Sequence, residues 1–235
     1  MHKYVSQVAH DINNPVGNCL MYSQMMEELL ADLAENPGED DIAQAREFNN
    51  NIKMALNNLT GVLDAWVMAH KIVSDEYQPE MQPAEPVPYL ETALREIRIY
   101  TDRKKLQLDK QWTDAGLKVE SDPKIIKRVF ESMSMLMVMF ANQQDVLRFS
   151  IQQSETHAVI NMEDSYTDPR EALHNRFTGE EPWNDGEVLQ EGILKPAGYG
   201  LKFCGVALKL LNAEPEVKQS QLGGLHFSFK LPLLK

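Results

Sequence analysis

The sequence lacks any apolar run long enough to cross a membrane. A membrane-spanning helix needs roughly 18 or more consecutive apolar residues, and no such run occurs in the 235 residues. No leader-peptide pattern precedes the first predicted helix. We therefore expect no membrane span in this chain, and a cytoplasmic location.

Cysteine is scarce as well. Cys19 and Cys204 are the two cysteines, and they lie far apart in the sequence. A disulfide framework or a thiolate metal site needs several cysteines at short, regular spacings. We predict neither, which fits a protein of a reducing compartment.

Positive charge is in deficit. Lys and Arg number 23 and Asp and Glu number 35, so the net charge is −12 and the pI is about 5.0. No block of five or more consecutive basic residues interrupts this pattern. Nucleic acids and anionic membranes are bound by clustered positive charge, so we expect neither as a partner.

What the sequence does contain is a strong helical pattern near its amino terminus. From about Lys3 to Ala34 the apolar residues recur at helical spacing, and residues 35–40 (ENPGED) form a stop and a turn. Pro15 falls inside this helix, where proline costs about 3 kcal/mol. Some purpose other than helix stability must account for it.

A second predicted helix carries a heptad seam. Its apolar positions alternate in steps of four and three: Ile52, Leu56, Leu59, Leu63, Trp66 and His70. One helical hairpin cannot bury both this seam and the apolar face of the first helix. Pairing of two hairpins as a dimeric four-helix bundle would bury both, and packing of the seam against a later domain of the same chain is the alternative.

Proline marks the expected domain boundary. Four prolines occur between Tyr77 and Pro88, a composition typical of an extended, semi-rigid linker. The sequence thus predicts three parts: an all-helical domain over 1–76, a linker over 77–88 and a mixed domain over 89–235.

The mixed domain is predicted to be an α+β two-layer sandwich. A helix over 89–102 precedes two short strands, at 106–112 and beside it at 117–120, and a helix capped by Asp122 continues through Phe140. The later predicted elements are a strand pair, a helix and a final strand: 146–152, 157–164, 201–211 and 224–233. This order favours helices on one face of a mainly antiparallel sheet.

A histidine and a carboxylate stand side by side at His10 and Asp11. A neutral imidazole nitrogen is a nucleophile near pH 7, and an adjacent carboxylate can orient the ring or take its proton. The alternative is a helix-surface histidine followed by an Asp-Asn-Asn cap, because Asn14-Pro15 is also an ordinary turn signal.

His10, Asp11, Asn14 and Pro15 resemble, position by position, the H-box of two-component sensor histidine kinases. The resemblance implies a phosphoacceptor histidine on a kinked helix, a dimeric four-helix bundle and a response-regulator receiver domain as partner. The run also resembles the dimeric histidine phosphotransferases, which keep the hairpin and have lost nucleotide binding.

The second domain resembles the ATPase domain of the same kinases. The stretch 121–140 corresponds to the helix bearing the magnesium-binding asparagine, and 160–164 to the strand before the first glycine box. Gly198-Tyr199-Gly200-Leu201 corresponds to the second glycine box. The resemblance makes Asp164 the candidate adenine-binding residue, and Gly198 and Gly200 weak candidates for an anion contact.

The match departs from the kinases where nucleotide would be held. Leu136 and Met139 occupy the positions of the asparagine and the basic residue, and thioether or alkyl groups do not ligate Mg²⁺. Glu131 is left as one possible oxygen ligand. Residues 165–169 supply no glycine for close backbone approach to a nucleotide. We expect no cofactor and no metal site.

The sequence therefore favours histidine phosphotransfer through His10, to and from a receiver aspartate, with Asp11 and Asn14 assisting. An ATP-dependent kinase with divergent boxes is the first alternative, and only that interpretation calls for ATP and Mg²⁺. A non-catalytic dimeric pseudokinase or adaptor is the second.

Overall fold

The computed structural model describes residues 16–31, 39–113, 116–165, 177–178 and 195–234. These residues form two compact units, and the division falls between Asp64 and Ala65. His10, Asp11 and Asn14 lie outside the described residues.

The first unit consists of two helices, α1 over 16–31 and α2 (Glu39–Val73), the second of which continues past the division. The Cys19 thiol lies 3.7 Å from the Ile52 carbonyl oxygen, and the rings of Tyr22 and Phe48 are 6.3 Å apart. The later residue of α1, Tyr22, contacts the earlier residue of α2, Phe48, so the two helices are antiparallel. This is the predicted helical hairpin.

The α2 residues that face α1 are buried, and the predicted seam is not. Phe48 and Ala55 are each 7% exposed, whereas Leu56 is 47% exposed and Leu59 and Leu63 are half-buried. Phe48 and Ala55 share a helical stripe with Ile52 and Leu59, so the seam is only partly covered. The four-helix bundle that would cover it stays a prediction.

After α2 the chain forms eleven elements among the described residues. The helices are α3 (Pro86–Glu96), α4 (Arg98–Lys104), α5 (Pro123–Phe140) and α6 (Lys195–Leu210). The strands are β1 (Gln82–Ala84), β2 (Gln107–Trp112), β3 (Val119–Ser121), β4 (Val146–Gln153), β5 (His157–Asp164), β6 (Glu216–Gln219) and β7 (Leu225–Pro232). The described residues after α2 therefore form four helices and seven strands.

The main sheet has the strand order β2-β4-β5-β7-β6. Three of its pairings are antiparallel and β2 with β4 is parallel, which confirms a mainly antiparallel sheet. The prediction that the strand over 117–120 lies beside β2 was wrong, since β3 pairs with β1 in a separate sheet. Parallel strands need a long crossover, and β3 and α5 provide it.

The two faces of the main sheet differ in polarity. Phe149, Met162 and Phe227 are neighbours across three strands and at most 2% exposed. The adjacent positions Ser150, Asn161 and Ser228 form a polar row. The period-2 pattern therefore puts the apolar row in the core, and the α+β prediction is confirmed.

The segment predicted as a linker contains structure of its own. Residues 82–84 form β1, and α3 begins at Pro86, three residues earlier than predicted, because proline suits the first turn of a helix. The predicted helix over 89–102 is broken at Ile97, which separates α3 from α4. Leu90, Ala93 and Leu94 are nevertheless buried on its inner face, as predicted.

Within the described residues, no helix has the length and apolar content required to cross a membrane.

Candidate functional site

Asp164 is the predicted site residue that the structure describes most fully. It ends β5 on the inward face of the sheet and is 2% exposed. Its Oδ1 accepts a hydrogen bond of 3.1 Å from the Leu225 backbone N–H, and its carbonyl oxygen accepts one of 3.2 Å from Gly224. These two hydrogen bonds fix Asp164 to the start of β7.

The turn between β6 and β7 is tied to the end of β5. Ser220 donates to Glu163 Oε2 at 2.8 Å and accepts from the Leu222 N–H at 2.9 Å. Gly223 has φ +108°, and a Cβ there would lie 3.5 Å from the Ser165 carbonyl oxygen. A side chain would be strained at that φ, so this glycine shapes the turn beside Asp164.

Helix α5 begins at a well-bonded cap. The Asp122 carboxylate is fully buried and accepts hydrogen bonds from the Lys124 and Ile125 backbone N–H groups at 2.8 and 3.2 Å. This is the predicted N-cap. The first turn of α5 is thus fixed independently of any ligand.

The two positions on α5 that the sequence resemblance assigns to the magnesium-binding asparagine and the basic residue hold apolar side chains. Leu136 is 2% exposed and Met139 is 39% exposed. Neither can supply the oxygen that a hard cation requires. The donor set of α5 at these positions does not fit Mg²⁺.

Glu131, the possible substitute ligand, is occupied by its own helix. Its carboxylate oxygens lie 3.0 Å from Arg128 Nη1 and 3.5 Å from Lys127 Nζ. Burial raises the pKa of Glu131 above its ordinary value, although Arg128 lowers it and Glu96 on α3 adds to the increase. A carboxylate that is buried and already paired with two cations is a poor magnesium ligand.

Gly198 and Gly200 lie inside α6, which begins at Lys195. Only the first four N–H groups of a helix are left without an intrahelical acceptor, and Gly200 is the sixth residue. A Cβ on Gly200 would lie 3.5 Å from the Cβ of Ser132 on α5, an ordinary contact distance. Gly200 therefore lies against α5 with room for an added methyl group, and its N–H is not placed to receive an anion.

Asp164 and Gly200 have different neighbours: the first contacts the start of β7 and the second faces α5. Among the residues that the structure describes, no group of three or more His, Cys, Asp or Glu side chains could hold a metal ion.

Phe177 is fully buried with its ring edge-on to Phe227, the centroids 5.1 Å apart.

A connection that the sequence did not reveal joins residues 77–80 to α5. Asp122 Oδ2 accepts hydrogen bonds from the Tyr77 hydroxyl and the Glu80 backbone N–H, each at 2.8 Å. Burial is the larger cause of a raised pKa for the Tyr77 hydroxyl, and the hydrogen bond to Asp122 raises it further. No local pattern signals this contact, because the partners are 45 and 42 residues apart.

Solved structures share this architecture. The nucleotide-free catalytic domain of histidine kinase ThkA aligns with a TM-score of 0.54 at 14% identity, over 65% of this chain and 97% of that one. The histidine kinase AdeS of Acinetobacter baumannii gives 0.57 at 13% identity, over 96% of this chain and 98% of its own. The chain has a histidine-kinase fold.

A third structure agrees. Full-length ShkA, solved in complex with AMPPNP, gives a TM-score of 0.61 at 12% identity, over 94% of this chain and 46% of ShkA. No protein-family model matches the sequence, and no curated protein matches it. The histidine-kinase fold confirms the predicted α+β class of the second unit.

Proposed function

We propose that this chain is a two-component signalling protein that transfers phosphoryl groups through His10 and binds little or no ATP. The observation that carries the proposal is the combination of a histidine-kinase fold with Leu136, 2% exposed, at the position of the magnesium-binding asparagine. The His10-Asp11 pair supplies the nucleophile, and the fold supplies no matching magnesium ligand in α5.

In the proposed reaction, a neutral nitrogen of His10 attacks the phosphorus of an aspartyl phosphate on a receiver domain. An N–P bond forms, the O–P bond to the aspartate breaks, and the aspartate leaves as a carboxylate. Asp11 accepts a hydrogen bond from the other ring nitrogen and stabilises the charge that develops. Asn14, one helical turn on, positions a phosphoryl oxygen.

Transfer in the opposite direction uses the same groups, with phosphohistidine as donor and a second receiver aspartate as acceptor. Phosphoryl transfer depends mainly on in-line positioning and charge neutralisation. Receiver domains of this signalling class carry their own metal site, so the chain itself needs none. His10 would lie on a dimeric hairpin, the arrangement that the partly covered α2 seam supports.

The experiment compares two phosphoryl donors. The purified protein is incubated with radiolabelled ATP, and separately with receiver domains that have been phosphorylated by radiolabelled acetyl phosphate. We expect an acid-labile label from a receiver and none from ATP. His10→Ala should abolish the label. The control is His157→Ala on β5, where the His157 ring is hydrogen-bonded to the Thr156 hydroxyl at 2.7 Å, and this variant should keep the label.

A label that persists in His10→Ala would contradict the proposal. If no receiver labels the parent protein and His10→Ala keeps its signalling output in cells, the non-catalytic adaptor replaces it.

An ATP-dependent kinase is the second candidate, and Asp164 favours it. That carboxylate is buried at the end of β5, where the resemblance to kinases implies an adenine contact. Titration calorimetry with Mg-ATP separates the two functions. We expect no binding heat at millimolar nucleotide, and saturable binding that Asp164→Asn weakens would favour the kinase.

A further inference from the structure

A groove in the second unit lies between the α3–α4 pair and strand β2. Its volume is about 490 Å³. Its apolar lining comes from Leu94, Leu106 and Leu108. The charged side chains that line it are three cations and two carboxylates: Arg95, Arg98, Lys110, Glu91 and Asp102. The proposed phosphotransfer makes no use of this groove.

The groove lies in a basic stretch of an acidic protein. Residues 95–110 contain six Lys or Arg and three Asp or Glu, whereas the whole chain has a net charge of −12. Lys104 is not part of the available charge, because its ammonium donates to the carbonyl oxygens of Val138 and Ala141 at 2.8 and 2.7 Å. Arg95 and Arg98 are exposed on the helical wall of the groove.

Arg95 and Arg98 make only weak, exposed interactions with their present partners. Arg98 Nε lies 3.4 Å from Asp102 Oδ2, and the side chains are 77% and 68% exposed. Arg95 donates to the hydroxyl of Thr92 at 3.1 Å, on the same exposed surface. Exposed contacts of this kind contribute little stability, so both guanidinium groups can turn to a carboxylate in the groove.

Hydrogen bonds beside the groove link α3 to β2. Glu91 of α3 accepts hydrogen bonds from Lys110 Nζ at 2.7 Å and from Trp112 Nε1 at 3.0 Å. Burial raises the pKa of Glu91, but these two hydrogen bonds outweigh it and the net shift is downward. The carboxylate therefore stays charged near pH 7 and fixes the spacing between α3 and β2.

The other wall of the groove is the edge of the main sheet. Among the strands that the structure describes, β2 has a neighbour, β4, on one side only. The N–H groups of Gln107 and Thr113 donate toward that side, to the carbonyls of Asp145 and Ile151. Because backbone groups alternate along a strand, those of Leu108 and Lys110 point to the open side. An exposed strand edge is a template for another strand.

We propose that this groove binds an extended acidic segment of a partner protein, which adds as a strand to the open edge of β2. Backbone hydrogen bonds to Leu108 and Lys110 hold the segment. Alternate side chains of the segment contact the leucine floor, and its carboxylates pair with Arg95 and Arg98. The inference goes beyond the proposed function and does not rest on it.

Charge selects this occupant over a nucleic acid. The basic stretch is confined to one edge, and the remainder of the chain is more acidic than its total of −12. A long polyanion would be repelled by that remainder, whereas a short acidic segment meets only the groove. The leucine floor also requires apolar side chains, which a peptide can supply at every second position.

The test uses a fluorescently labelled synthetic peptide of alternating Asp and Val, one residue longer than β2 at each end. Its binding is measured by fluorescence anisotropy, beside a peptide with Lys in place of Asp. We expect the acidic peptide to bind and the lysine peptide not to. If the acidic peptide binds no better than the lysine peptide, the proposal is overturned.

Two comparisons locate the binding. The double variant Arg95→Glu/Arg98→Glu should weaken the acidic peptide by about tenfold or more. The double variant Lys124→Glu/Lys218→Glu makes the same change of net charge at two exposed positions of the second unit that do not line the groove, and it should leave binding unchanged. Equal weakening by both pairs would mean that only total charge matters, which overturns a site in the groove.

A further comparison tests strand addition. The acidic peptide with N-methyl groups on alternate residues cannot pair with a strand edge on that side, so it should lose binding. Hydrogen exchange at the Leu108 and Lys110 amides should slow when the unmodified peptide is bound. Undiminished binding by the N-methylated peptide, or unchanged exchange at both amides, would overturn the proposal.

Discussion

Gly200 lies where helix α6 packs on α5, and replacing it with alanine tests how closely the two helices approach. It lies in α6, and a Cβ there meets Ser132 only at 3.5 Å. We expect Gly200→Ala to stabilise the protein by about 0.5–1 kcal/mol, because alanine loses less conformational entropy in a helix. Urea denaturation measures the change.

The matched control for Gly200 is Gly61, a helical glycine of α2 with no heavy atom within 4 Å of an added Cβ. Gly61→Ala should give a similar gain. A loss of stability in Gly200→Ala beside a gain in Gly61→Ala would show that α5 and α6 need a closer approach than these distances indicate.

Glu131 makes stability depend on pH. Burial raises its pKa in the folded state above the ordinary value of 4.5. The folded state then holds this proton more tightly than the unfolded chain, so the contribution of Glu131 to stability falls as pH rises above about 4.5. Glu131→Gln cannot lose that proton and should gain on the parent protein between pH 4 and pH 7.

The measurement for Glu131 is urea denaturation of parent and variant at both pH values. Glu120→Gln, an exposed carboxylate on β3, is the control and should show no such change. If the difference between Glu131→Gln and the parent is the same at pH 4 and pH 7, burial does not govern this carboxyl group.

At the scale of elements, Asp122 joins three parts of the second unit. It caps α5 and also holds Tyr77 and Glu80 of the segment before β1. Asp122→Ala should cost about 3 kcal/mol or more, because the cap is lost and buried donors are left without an acceptor. Thermal or urea denaturation measures the loss.

Tyr77→Phe dissects this contact, since it removes one of the hydrogen bonds to Asp122 and leaves the helix cap intact. We expect about 1.5–3 kcal/mol for a bond to a charged acceptor, and less than for Asp122→Ala. A cost for Asp122→Ala below that of Tyr77→Phe would contradict the joining role of Asp122.

At the scale of the whole molecule, the seam on α2 predicts the oligomeric state. Leu56 is 47% exposed, and Leu59 and Leu63 are half-buried. We expect a homodimer that Leu56→Asp/Leu63→Asp converts to a monomer, because each buried carboxylate would lack a partner. Size-exclusion chromatography with light scattering gives the mass.

Asn57→Asp is the control for the seam, because Asn57 is exposed in α2 and lies on the side of the helix away from the heptad positions. It should leave the dimer intact. A parent protein that is monomeric, or a dimer that the double variant does not disturb, would remove the four-helix bundle and weaken the assignment of His10 to a dimeric phosphotransfer hairpin.

Much of the fold could be predicted from the sequence because its causes are local. The alternation of Leu225, Phe227, Phe229 and Leu231 identified both the strand and its buried face. Asp122 before Pro123 identified the start of α5. The break at Ile97 was missed, because apolar residues continue at helical spacing through it.

The candidate site was only partly predictable. The sequence identified His10, Asp11 and Asn14, which lie outside the described residues, and Asp164, which the structure fixes to Leu225. It did not show that Gly200 packs against Ser132, because they are far apart in the sequence and meet only through the packing of α6 on α5.

The sequence by itself determined most of the elements and their buried faces and nominated His10 as the nucleophile, since periodicity, caps and residue chemistry act over a few neighbouring positions. Only the tertiary structure decided that β2 pairs in parallel with β4, that β3 pairs with β1, and that β2 keeps an open edge beside Arg95 and Arg98. These outcomes depend on contacts between distant segments, whose free energy is set by the packing of the complete core.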